Sequence, residues 1–131
     1  MKTGLSALNH VRGSLLRSRK FTDIAGSRVY YVAATNGTVK PYVTCTRTAI
    51  VAQYTKDGWV EDDVVVAIDI VSESYEQAVE LAEAVRECIE SSMKEYDSYR
   101  VADCKMTRSA EGYSLEADAY VITMDFDIVI T

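Results

Sequence analysis

Three sets of side chains in this sequence are of types that do chemistry: a single histidine, His10; three cysteines, Cys45, Cys88 and Cys104; and two acidic clusters, Glu61–Asp62–Asp63 and the alternating pair Asp125 and Asp127. A histidine titrates near neutral pH and can act as acid, base or metal ligand. His10 has no sequence neighbour that would complete a Cys/His or Ser/His constellation, so a surface histidine is expected. The cysteine count is odd and no two lie at CxxC spacing, which argues against a disulfide framework or a zinc site. Each cysteine sits in an apolar-patterned segment and is expected to be a reduced thiol filling the core. Carboxylates can hold a cation or move a proton. Neither acidic cluster has calcium-loop spacing or a nearby histidine. Glu61–Asp62–Asp63 adjoins a turn, where a solvated charge run is expected. The phosphate-cradling, zinc-protease and nucleophile-elbow motifs are all missing. No catalytic residue, cofactor or metal is therefore expected, and a structural or binding role is favoured.

The elements that would position these groups follow from periodicity. Leu5, Leu8, Val11, Leu15 and Leu16 recur at helical spacing and predict a helix over about 5–18, weakened by Gly13. The stretch "FTDIAGS" interrupts it. "RVYYVA" reads as a short strand, followed by a loop over 33–40 with an Asn-Gly pair before Pro41. "YVTCTRTAIVAQY" and the run from Val64 to Val71 read as strands joined at the hairpin signal Asp57–Gly58. The near-continuous apolar run 64–71 suggests a strand covered on both faces. Ser74 and Gln77 form a capping-box pattern. Behind it Ala78, Leu81, Ala82, Val85, Cys88, Ile89 and Met93 make one apolar face of a helix over about 74–94. "YRVADCKMTR" is another strand, and "SAEGYSLEA" a hairpin loop around Gly112. From Tyr120 to Ile130 every second residue is large and apolar. That alternation puts Asp125 and Asp127 on the opposite, wet face. The expected fold is α+β: a largely antiparallel sheet of about five strands with two helices packed on one face, one domain over 1–131.

Composition narrows the partners. The net charge of −6 gives little general attraction for nucleic acid, although "RGSLLRSRK" could form a local basic patch. No signal-peptide pattern and no apolar run of membrane-spanning length are read, so a soluble product is expected. Trp59, just after Asp57 and Gly58, is a large ring at a hairpin tip. These three residues are the candidate contact with another copy or a partner.

The joint order of several segments resembles the small tail-completion, or tail terminator, proteins of long-tailed bacteriophages and prophages. The resemblance runs from about Phe21 to the C-terminus. It is carried by "IAGSRVYY", by "KPYVTCTR", by "VVVAIDIVSESYEQAVELAEAVRECI", and by the closing "YSLEADAYVITMDFDIVI". It implies a structural virion protein at the head–tail junction, assembled in the bacterial host cytoplasm. Such a protein forms a homo-oligomeric ring, usually of six, that caps the tail tube and presents a surface to the head–tail connector protein. DNA would pass through without specific binding. Asp69, Asp125 and Asp127 would then be candidates for an acidic lumen wall. Two alternatives remain at this point: a dimeric α+β ligand-binding or regulatory module, and another head-closure or minor tail protein.

Overall fold

The computed structural model describes residues 2–35 and 37–131. A 3-10 turn, Gly4–Ser6, leads into α1 (Ala7–Arg17) and α2 (Arg19–Ala25). The strands are β1 (Val29–Tyr31), β2 (Tyr42–Thr55), β3 (Gly58–Ser72), β4 (Lys94–Glu95), β5 (Arg100–Ser114) and β6 (Ala119–Ile130), with α3 (Tyr75–Glu90) between β3 and β4. The six strands lie in the order β1-β2-β3-β6-β5-β4. All pairs are antiparallel except β1–β2, which is parallel. The α+β class is as expected, with one strand and one α-helix more than the sequence pattern suggested. The additions are short: β4 has only Lys94 and Glu95, and α2 forms where "FTDIAGS" reads as a break. Ser18 starts α2 by accepting from the Phe21 amide, and Phe21 and Ala25 are buried along it.

All three helices pack on one face of the sheet. α1 lies over β2, α3 over β3, β6 and β5, and α2 against α1 and α3. The face of α1 is rotated from the expected one: Ala7, His10, Val11, Ser14 and Leu15 are buried, while Leu5 is exposed. α3 ends at Glu90, and Met93 lies beyond it, exposed. Ser74 caps α3 through the Gln77 amide. The return half of the box goes elsewhere, because the Ser72 hydroxyl donates to Gln77 Oε1 and accepts from the Ser74 amide.

On β6, Ile122, Met124, Phe126, Ile128 and Ile130 enter the core. Val64, Val66, Ile68 and Ile70 of β3 meet them there, but Val65, Ala67 and Asp69 are only half-buried. The run 64–71 is thus covered on one face, not two; its continuous apolarity reflects a central strand flanked by β2 and β6. Each large side chain buried here contributes about 1.5–3 kcal/mol before entropy is counted. A one-residue slip of β6 would exchange that set for Asp125 and Asp127, which fixes the register.

Candidate assembly surfaces

The β2–β3 hairpin closes with Thr55 opposite Gly58, so the turn residues are Lys56 and Asp57 and Gly58 opens β3 at φ 120°. Trp59 is not a free ring at the tip. It is half-buried, and its Nε1–H donates to Asp62 Oδ1 at 2.8 Å. Asp62 Oδ2 accepts the Gly4 amide at 2.8 Å. Asp62 is therefore 4% exposed and clamps the chain start to β3; it is no part of a solvated charge run. The sequence did carry this signal, since Asp62 is in phase with Val64, Val66, Ile68 and Ile70. Val51, Tyr54 and Val60 are the large apolar side chains the hairpin leaves exposed.

Asp69, Asp125 and Asp127 do share the sheet face away from the helices, each half-buried. They are not bare. Thr123 donates to Asp69 Oδ1 at 2.7 Å. Arg108 Nε lies 3.6 Å from Asp125, and Lys105 stands opposite Asp127 across the β5–β6 ladder.

His10 is 1% exposed, not a surface residue. Its Nδ1 lies 2.7 Å from the Tyr96 hydroxyl and its Nε2 3.0 Å from Ser92 Oγ. Ser92 Oγ already donates to the Ile89 carbonyl at 2.7 Å, so Nε2 carries the proton and Tyr96 donates to Nδ1. Burial, aided by Arg17 and Lys94, lowers the His10 pKa to about 4. The neutral ring latches α1 to the segment after α3. Cys45 and Cys104 are buried and Cys88 half-buried, all as free thiols, as the sequence suggested. Among the described residues no three of His, Cys, Asp and Glu gather as a metal would require.

The far end of the β5–β6 hairpin departs from the sequence pattern. β5 runs through Gly112 to Ser114, and the loop is Leu115–Asp118. Tyr113 opposite Tyr120 carries the ladder past the glycine, with the rings edge to face at 5.1 Å. Tyr75 from α3 packs edge-on against Tyr120 and donates to Glu111.

Each edge of the sheet is covered by its own chain over one half only. β1 pairs with Val43–Cys45, and Arg12 Nε caps the Val29 carbonyl at 3.2 Å. From Arg47 to Thr55 the outer edge of β2 has no backbone partner among the described residues. On the other side β4 pairs with Arg100 and Val101, and Glu90 accepts the Met106 amide. From Thr107 to Ser114 the outer edge of β5 is likewise open among the described residues. The two flanks also differ in charge. Residues 1–56, which build α1, α2, β1 and β2, hold nine Lys/Arg and one Asp/Glu. Residues 57–131 hold five Lys/Arg and nineteen Asp/Glu. A count by halves would have found this in the sequence; the overall charge hides it.

A solved chain described as "Virion of native gene transfer agent (GTA) particle" has this fold: TM-score 0.73 at 19% identity, covering 92% of this chain and 90% of that one. No curated protein sequence matches the chain. The sequence profile of the family "Tail completion protein gp17" matches residues 9–131, from within α1 through every later element. The chain belongs to this tail completion family, structural proteins of phage tails.

Proposed function

We propose that this protein is a tail terminator: copies close into a ring, six in number, that caps the tail tube and presents its other surface to the head connector. Family membership over residues 9–131 is the observation that carries this reading. The two unlike flanks support it, because a contact between different patches of identical copies is heterologous and closes into a ring when the rotation allows. DNA crosses the ring without being held, past a sheet face that carries Asp69, Asp125 and Asp127. The site of action is the head–tail junction of the virion, after assembly in the host cytoplasm. The ligand-module alternative gains no support from the concavity of about 440 Å³, an open groove between α2 and α3 lined by Asp23, Glu80, Glu83 and Glu87 with Lys20, Ile24 and Ala84.

The test is to add purified protein to polymerising tail-tube protein and measure tube lengths by electron microscopy. Capping shortens the tubes in proportion to the protein added and leaves a density at one end. Tubes of unchanged length with bare ends would refute the reading.

A further inference from the structure

The open edges and the divided charge together specify how two copies meet. We propose that the Arg47–Thr55 edge of one copy pairs antiparallel with the Thr107–Ser114 edge of the next, basic flank against acidic flank. This deepens the ring reading and rests on it: the occupant of each open edge is a second copy of this chain.

Three observations carry the pairing. First, an open strand edge presents a row of unpaired N–H and C=O groups, and another strand is what satisfies them. The open segments are of similar length, and each begins where the chain's own cover stops. β2 runs from Tyr42 towards Thr55, and β5 runs the opposite way from Arg100 towards Ser114. Copies related by rotation about a ring axis therefore bring them together antiparallel.

Second, the charges match along the seam. Arg47 opens the β2 segment and meets the end of β5 that carries Glu111 and the loop residues Glu116 and Asp118. Lys56, at the other end of the β2 segment, points towards the part of β5 that carries Asp103. Glu111, Glu116, Asp118 and Asp103 have no cationic partner within their own copy among the described residues. Val51 and Tyr54, the latter 70% exposed, add the apolar surface that the seam would cover.

Third, the stagger of the two open segments suits a closed ring. Arg47, Val66, Phe126 and Met106 lie in one row across the sheet. The open part of β2 lies on one side of that row and the open part of β5 on the other. Their midpoints, Val51 and Ala110, fall in the rows of Asp63 and Asp69, six residues apart along β3. That is about 20 Å along the strands at ~3.3 Å per residue. From β2 across to β5 and on to the next copy is four strand spacings, about 19 Å at ~4.8 Å each. Successive copies are thus offset along a line roughly 45° from the strands. In a closed ring that line is perpendicular to the axis, so the strands tilt by about 45° to it. Closed barrels tilt their strands by roughly 35–45°.

The test uses two charge-reversed variants of the full chain: R47E/K56E, which puts acidic residues at both ends of the β2 seam, and E111K/E116K, which puts two lysines at the β5 end that meets Arg47. Absolute mass is measured by light scattering for each alone and for an equimolar mixture, at physiological salt. The expected result is that each variant alone falls from the wild-type mass to that of one copy. The mixture returns to the wild-type mass, because an alternating ring restores opposite charges at every seam. Recovery in the mixture also shows that both variants fold. Variants that hold the wild-type mass alone, or a mixture that stays dispersed, overturn the edge pairing. A wild-type ring that survives both reversals removes the seam and leaves the ring standing. A wild-type chain that is monomeric at millimolar concentration removes the seam, while the tube-capping assay still decides the terminator reading.

Discussion

Lowering the pH from 7.5 to 5 should weaken the fold through one residue, His10. In the unfolded chain an imidazole takes up its proton near pH 6.5; in the folded protein His10 does so only near 4. Between those values the unfolded state binds more protons, so stability falls as pH falls. For these two pKa values the loss by pH 5 is about 2 kcal/mol. The groups facing the ring keep the window clean. Arg17 and Lys94 disfavour the imidazolium along with burial, and burial raises the pKa of both Cys88 and Cys104, which stay thiols. The assay is urea unfolding at a series of pH values for the wild type and for His10→Asn, which cannot take up this proton. With a denaturant slope of about 2 kcal/mol per molar, the wild-type midpoint should drop about 1 M further than the variant's between pH 7.5 and 5. At neutral pH the variant should itself lose about 1–3 kcal/mol, because Tyr96 and Ser92 lose a well-placed partner. Parallel pH profiles for the two proteins would refute the claim that His10 is buried neutral.

Asp62→Ala should cost about 2–4 kcal/mol in urea unfolding, since it strips the acceptor from both the Gly4 amide and the Trp59 indole; Trp59 fluorescence should shift to longer wavelength as the ring is released. Phe126→Ala, at a fully buried position facing α3, should cost about 3–5 kcal/mol and lower the thermal midpoint with it. A thiol reagent at pH 8 should modify native protein at Cys88 first, by mass spectrometry, because Cys45 is fully buried with its pKa raised to about 12; all three cysteines should react after unfolding.

Much of this fold could be read from alternation and helical spacing because those patterns record which side meets the core. β6 and α3 are the clearest cases: each has a continuous apolar row against a polar one. The same alternation, applied one residue further, places Asp62 inward. His10 lies off the stripe of Leu5, Leu8, Val11, Leu15 and Leu16, and faces inward only because α1 is rotated to bury Ala7, Val11 and Leu15 with it. A buried aspartate is tolerated here only because two donors reach it from the turn before α1 and from the hairpin. Those contacts span 58 residues in one case, and sequence spacing cannot announce them. Gly112 misled for the complementary reason. A glycine usually marks a turn, but the facing tyrosines hold the ladder together across it. The assembly surfaces were the least legible, because an open edge is defined by where β1 and β4 stop, and both are too short to show a period.

The far face also sets how the lumen reading should be tested. Asp125 and Asp127 are balanced within each copy by Arg108 and Lys105, so this part of β5 and β6 is close to neutral. The Arg108 pair is long and mostly exposed, worth at most about 1 kcal/mol, and does little to hold the sheet. Replacing both aspartates by asparagine therefore leaves two unopposed cations per copy. Replacing both by lysine leaves four. If this face lines the DNA path, DNA retention by the assembled ring should rise in that order. The salt dependence should steepen by about 0.9 in logarithmic slope for each phosphate engaged. The measurement is DNA binding to each ring across a salt series, beside the midpoint in urea to show that the fold is kept. Equal, weak binding by wild type and both variants would place the face away from DNA. The aspartates would then serve only to keep an uncovered sheet face wet and its register fixed.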